Sequence, residues 1–172
     1  LVQEGAQVTV ADIRPEAVGS LVDAYGVTAV PPERAHAVEC DVYSPCALGG
    51  ALSPVTIPEM RCAAVVGAAN NQLSEPGCAE LLAGAGVLYA PDYVVNGGGI
   101  INIVEELGSG GYDRERAQAA LARVGDTLRM VMSAADAEGI TTAAAADRLA
   151  ERRLAAAGPH AIGTFGTGAG LP

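Results

Sequence analysis

Apolar and polar positions alternate through AQVTVAD (6–12), the period of a half-buried strand, and Leu1–Glu4 before it reads as a helix end stopped at Gly5. Pro15 stands at a first helical position, so PEAVGSLVDAYG predicts a helix that Gly26 closes. VTAV is then a short strand and PPE a turn. HAVECDVYSPCALGGAL gives a strand running into a Pro-containing, Gly-rich turn, and TIPEM a short helical piece. Two apolar runs follow, Ala63–Val66 and Val87–Tyr89, with a helix expected over Pro76–Ala85 between them. Each run halts at a polar or Gly-rich turn, where an open α/β sheet builds its binding crevice. Strands spaced by helices of this length predict βαβ units and a parallel sheet.

From Asp113 the period changes. Ala117, Leu121, Val124, Leu128, Val131 and Ala135 recur at three- and four-residue steps, the mark of an amphipathic helix. After Glu138-Gly139, Thr141 or Thr142 can cap another helix running to about Ala157. The closing GPHAIGTFGTGAGLP is Gly-rich and weakly hydrophobic, so a frayed tail is expected.

Composition narrows the function. With 172 residues, half of them apolar, the chain can bury one core, and with one Phe and no Trp that core is Ala, Val, Leu and Ile. Twenty acids face ten bases, every base is Arg, and the net charge is −10. That balance argues against a nucleic-acid partner, which needs clustered Lys and Arg, and against a polybasic membrane patch. No apolar run approaches the roughly 20 residues of a membrane span. The chain opens at Leu1 in mid-element, with no Met and no basic-then-apolar leader, so it reads as truncated at its front. Cys40, Cys46, Cys62 and Cys78 are separated by five, fifteen and fifteen residues, without C-x-x-C or a nearby His pair. No metal site is expected; small buried thiols in a reducing cytoplasm are the plainer account. His36 and His160 show no evident partner and are expected to be non-catalytic.

The blocks GAANNQL (67–73) and YAPDYVVNGGGIIN (89–102) resemble the nucleotide-binding half of the leucine, valine and phenylalanine dehydrogenases. The likeness runs from about Gly5 to Arg153, is nearest to the valine and leucine members, and rests on several blocks agreeing in order and spacing. It implies an α/β fold: a partial doubly wound, Rossmann-type parallel sheet lacking its first strand, followed by C-terminal helices. The expected organisation is a partial dinucleotide-binding domain over 1–112, helices over 113–157 and a flexible tail over 158–172. The implied protein is a cytoplasmic homo-oligomer that uses NAD to deaminate a small amino acid oxidatively to a 2-oxo acid.

The resemblance also assigns residues. Asp12 ends the strand whose acid accepts hydrogen bonds from the adenosine ribose and disfavours a 2′-phosphate. A solvated turn acid is the plainer alternative, and Arg14 leaves NADP open. Ser44–Leu52 lies along the nicotinamide ribose in the family, and Cys46 and Ala47 match its usual PCA; with no basic sequence neighbour, Cys46 is not expected to be a nucleophile. Either amide of the Asn70-Asn71 pair offers both a donor and an acceptor; the resemblance favours Asn71 for the nicotinamide and the bound amino acid, since relatives vary at the first position and keep Asn at the second, although an Asx turn would also explain it. Asn96 reads as the N-cap of NGGGIINIVEE and, by resemblance, as a second contact to the nicotinamide region. Relatives usually have NAGG, so Gly97 loosens that turn. Ile100 and Ile103 share a helix face; alone they read as core, while the resemblance places them in the side-chain pocket. Two Ile there favour valine or another short branched substrate over phenylalanine, and offer nothing to glutamate.

The base of the implied reaction is a Lys, and this chain has none. The family carries its catalytic Lys and Asp on an earlier domain and its G-x-G-x-x-G turn just before the point where this chain starts. No such turn follows a strand here, and GTFGTGAG near the end is out of context. The chain alone is therefore expected to be inactive; a non-catalytic nucleotide-binding or oligomerisation remnant is the alternative.

Overall fold

A computed structural model describes residues 1–108 and 110–157. The expected tail, with His160 and GTFGTGAG, lies outside them. In chain order the elements are β1 (Thr9–Val10), α1 (Pro15–Tyr25), β2 (Thr28–Ala29), β3 (Glu39–Tyr43), β4 (Arg61–Val65), α2 (Cys78–Gly84), β5 (Leu88–Tyr89), α3 (Asp92–Val95), α4 (Gly98–Leu107), α5 (Arg114–Glu138) and α6 (Thr142–Ala157). Short 3-10 turns occupy Val2–Glu4, Pro32–Ala37 and Ile57–Glu59. The second of these extends the turn predicted at PPE.

The strands form two parallel sheets. β1 pairs with β2, and β3-β4-β5 make the second sheet with β4 at its centre. Among the described residues no strand joins one sheet to the other. This is a partial Rossmann-type arrangement: parallel strands with their crossover helices, in two pieces. Burial follows the same division. Nothing before Pro45 is buried, whereas Leu52, Ile57, Val65, Cys78, Leu82, Val87 and Tyr89 form one core cluster under the second sheet. The β1-α1-β2 unit thus has helix and strand geometry but no interior of its own. His36 does have a partner, Glu59, whose carboxylate lies 3.0 Å from its Nε2.

Of the four thiols only Cys78 is buried; Cys46 is exposed, and Cys40 and Cys62 are half-buried opposite each other in the β3–β4 register. The expectation of buried thiols therefore holds for one of four. Desolvation foremost raises the pKa of both Cys40 and Cys62, with the Asp41 charge adding to it at Cys40, so these thiols stay protonated near neutrality.

Behind the sheet, α5 and α6 pack through Val131, Ala135, Ala145 and Ala146. The predicted α5 stripe is buried at Ala117, Val131 and Ala135, but Leu121 is exposed, because at that level α5 faces only the glycine-rich start of α4. Thr141 is the α6 cap, accepting from the Ala144 N–H at 3.2 Å. Thr142 instead donates its hydroxyl to the Tyr89 carbonyl at 2.5 Å, tying α6 to the end of β5.

The ends of β3 and β4 cross at backbone contact. Ala69 N–H donates to the Pro45 carbonyl at 2.9 Å, and a Cβ added at Gly67 would lie 2.2 Å from that same oxygen. Neither partner is a flexible side chain that can give way. Gly67→Ala is therefore expected to lose about 1–3 kcal/mol or more of stability by urea unfolding, while Gly84→Ala, on a helix with open space around it, changes stability little or gains.

Glu138 accepts from Arg148 at 2.5 Å and Arg152 at 2.9 Å, linking α5 to α6. Those hydrogen bonds, first from Arg148 and then Arg152, hold its carboxyl below the ordinary value of 4.5. A depressed acid stabilises the fold fully above its unfolded pKa and loses that contribution as pH falls through the folded value. Thermal unfolding of Glu138→Gln is accordingly expected to fall below wild type at pH 7, with the gap closing as pH drops well under 4.5.

Candidate functional site

Three loops leave the carboxyl ends of β3, β4 and β5 side by side. They are Ser44–Gly50, Val66–Gln72 and Ala90–Gly97, which is where parallel α/β sheets place ligands. The first two are zipped by backbone hydrogen bonds: Gly50 N–H to Asn71 O at 2.8 Å, Leu52 N–H to Gln72 O at 2.9 Å, and Ser74 N–H to Leu52 O at 2.9 Å. A Cβ at Gly49 would meet the carbonyls of Asn70 and Asn71 at 2.8 Å, so glycine permits this approach. Gln72, fully buried, donates from Nε2 to the Gly67 and Ala69 carbonyls at 2.8 and 3.0 Å and shapes the β4 exit from within.

Cys46 and Ala47 lie exposed on the first loop, with the Cys46 sulfur 3.3 Å from the Ser44 hydroxyl. Small residues leave backbone accessible there. On the second loop Asn71 adopts φ 53°, the one non-glycine left-handed residue among those described. Its N–H donates to Asp92 Oδ2 at 2.8 Å. Asn96 reaches across from the third loop, but to the other amide of the pair: its Nδ2 donates to Asn70 Oδ1 at 2.6 Å. Two carboxamides from two loops thus meet at the carboxyl ends of the strands, with the backbone of Asn71 held beside them.

Asn96 is not the N-cap of α4. It follows α3 as that helix's C-terminal cap, its N–H bonded to the Asp92 carbonyl at 2.8 Å, and Gly97 precedes α4 without a side-chain cap. The reason is the extra turn of helix at Asp92–Val95, which ends on Asn96 and leaves its amide free to turn toward Asn70. Gly97 itself has helical backbone, φ −66°, and open space for a Cβ, so the NGGG departure is not demanded by local sterics.

Ile100 and Ile103 are not core. They are 71% and 54% exposed on α4, beside Val104 and Leu107, which are also exposed. An apolar helix face therefore begins one turn beyond the amide cluster, exposed among the described residues.

Asp12 lies at the carboxyl end of β1, in the other sheet, and shares no hydrogen bond with the amide cluster among the described residues. Arg14 closes on it, donating from its backbone N–H at 2.8 Å and from Nε at 3.4 Å. The backbone N–H foremost holds the carboxyl below its usual range, so Asp12 is an anion throughout the neutral range. Arg14, which had left NADP open, has its guanidinium turned to this acid.

Asp92, Tyr89 and Gln72 were not singled out from sequence, and Asn70 was set second to Asn71. Asp92 is 8% exposed and accepts from the Tyr89 hydroxyl at 2.9 Å. Burial first, and the Asp92 hydrogen bond next, push the Tyr89 pKa far up, so the phenol remains a donor. Among the described residues no cluster of three or more His, Cys, Asp or Glu is arranged to hold a metal. What the site offers is a rim of amides and accessible backbone, backed by the buried Asp92. It can orient a ligand with planar donor and acceptor groups.

Comparison with known proteins gives the same outline. The family model described as Glutamate/Leucine/Phenylalanine/Valine dehydrogenase matches residues 4–160. Leucine dehydrogenase of Bacillus cereus is 45% identical over 152 residues, 88% of this chain and 41% of that protein. Valine dehydrogenase of Streptomyces albus is 47% identical over 160 residues, covering 91% and 43%. L-tryptophan dehydrogenase from Nostoc punctiforme superposes with a TM-score of 0.86 at 39% identity, over 91% of this chain and 47% of that one. The hetero-hexameric glutamate dehydrogenase from Thermus thermophilus, in its Leu-bound form, reaches 0.62 at 29% identity, over 83% and 36%. This chain thus spans less than half the length of the relatives it matches. By the family match, it belongs to the Glutamate/Leucine/Phenylalanine/Valine dehydrogenase family.

Proposed function

We propose that the chain is the nucleotide-binding half of an NAD-dependent branched-chain amino-acid dehydrogenase, an oxidoreductase that interconverts valine or leucine with its 2-oxo acid and ammonia. The observation that carries this reading is the convergence of the Cys46-Ala47, Asn70-Asn71 and Asn96 loops at the carboxyl ends of three parallel strands. NAD bound there supplies the hydride acceptor. Cys46 and Ala47 leave backbone open to its ribose, Asn71 and Asn96 orient the carboxamide ring, and Asp12 takes the adenosine ribose. The Asp12 carboxylate supports NAD over NADP, because a negative charge there disfavours a 2′-phosphate; the Arg14 guanidinium meets it only through Nε at 3.4 Å, in an exposed pair.

The proton chemistry belongs to a Lys on polypeptide outside these 172 residues. Two features support that division. The β1-α1-β2 unit buries none of its residues, and among the described residues no strand joins its sheet to the next. A further parallel strand between β1 and β3 would unite the two sheets, and a substrate domain would cover the bare α4 face. Residues 1–112 then serve the nucleotide, residues 113–157 pack behind, and the complete protein is a cytoplasmic homo-oligomer. The absence of Lys gives the remnant reading its one supporting observation: left alone, this chain would bind or assemble without catalysing.

The two readings separate on one assay. The complete enzyme is expected to form NADH with valine and leucine, and this chain alone to form none; turnover by the chain alone contradicts the division of labour. Pocket selection is tested by Ile100→Ala in the complete enzyme. At about 1 kcal/mol per methylene, preference is expected to shift toward larger side chains by roughly tenfold or more. Glutamate outperforming valine and leucine would refute the pocket assignment.

A further inference from the structure

We propose that Asp92 is a positioning residue for Asn71: its buried carboxylate, aimed by Tyr89, holds the Asn71 backbone in the left-handed conformation that presents the amide to the crevice. Asn enters that conformation more readily than other residues with a side chain, yet it still costs about 1 kcal/mol relative to glycine, and here hydrogen bonds on both sides oppose that cost. Both backbone groups of Asn71 are engaged. Its N–H donates to Asp92 Oδ2 at 2.8 Å, and its carbonyl accepts from Gly50 N–H at 2.8 Å. With the peptide groups fixed on either side, the direction of the Asn71 side chain follows.

The carboxylate is itself directed. The Tyr89 hydroxyl donates to Asp92 Oδ1 at 2.9 Å and accepts from the Asp92 backbone N–H at 3.3 Å. The phenol therefore closes a ring with both the backbone and the side chain of Asp92. Tyr89 is 3% exposed, in the core under the sheet, and its carbonyl is tied to Thr142 at the start of α6. One residue beyond Asp92, the Tyr93 hydroxyl donates to Asp147 at 2.9 Å, so the segment carrying Asp92 is anchored to α6 twice.

A stability role alone does not account for a carboxylate here. Among the described residues Asp92 has no cationic partner, and a buried acid without one is costly compared with an apolar side chain. What the carboxylate adds is direction: one oxygen for the phenol of the core, the other for the amide of the crevice loop. An Asn at this position keeps an acceptor for Asn71. An Ala leaves both donors unpaired.

The inference rests on the reading of Asn71 as a nicotinamide contact, and two measurements separate them. In the isotope-labelled chain, Asp92→Ala is expected to speed hydrogen exchange at the Asn71 amide by about tenfold or more, with Asp92→Asn restoring most of the protection. In the complete enzyme, Asp92→Ala is expected to lower kcat/KM for NAD by about 10- to 100-fold, in line with the cost of a misplaced positioning group. Asp92→Asn should recover most of that loss. In an Asn71→Gly background, where neither the strained conformation nor the amide remains, adding Asp92→Ala should cost little more. Unchanged exchange at Asn71, or losses that simply multiply in the double variant, overturns the positioning role. If Asn71→Gly alone leaves kcat/KM intact while exchange still depends on Asp92, the backbone clamp stands and the nicotinamide assignment of Asn71 falls.

Discussion

The candidate site depends on one close backbone crossing. Where β3 and β4 end, the Pro45 carbonyl takes the Ala69 N–H and fills the space a Cβ at Gly67 would need. That contact brings the exits of two parallel strands together and lets Gly50 and Leu52 continue the pairing onto Asn71 and Gln72. The loops are thus an irregular extension of the sheet, held by main-chain bonds. A site built this way places its amides through the backbone, which is firmer support than side-chain packing would give an exposed loop.

A second support comes from behind. Tyr89 stands in the core, Asp92 faces the crevice, and the phenol–carboxylate pair transmits the position of one to the other. Because Thr142 and Asp147 of α6 hold the same segment, the C-terminal helices and the crevice share a mechanical frame. Toward the N-terminus the frame is missing. The β1-α1-β2 unit has its expected shape without a core, and Asp12 is carried on it, hydrogen-bonded to Arg14.

Much of this was legible in the sequence, for physical reasons that differ by region. Apolar runs stopped by glycine and amide residues marked the ends of β4 and β5, although alternate positions of both strands are exposed in this chain. Pro15 and Gly26 bracketed α1 because each suits only one end of a helix. Asn96 was misread because Asn before three glycines and an apolar run looks like a cap, whereas a four-residue helix ahead of it ends there. Ile100 and Ile103 looked like core because periodicity reports an apolar face and not what covers it. Asp92 was invisible: a Pro-Asp pair suggests a helix start, and only the fold puts its carboxylate beside an amide 21 residues away.

The claim on which the rest hangs is that these loops receive the nicotinamide end of NAD. A crystal structure of the complete polypeptide with NAD tests it most directly. The account predicts the carboxamide ring within hydrogen-bonding distance of Asn71 and Asn96, the adjoining ribose along Cys46-Ala47 and the adenosine ribose on Asp12. A dinucleotide seated elsewhere, such as the cleft between α4 and α5, or one whose nicotinamide touches neither Asn, would contradict it.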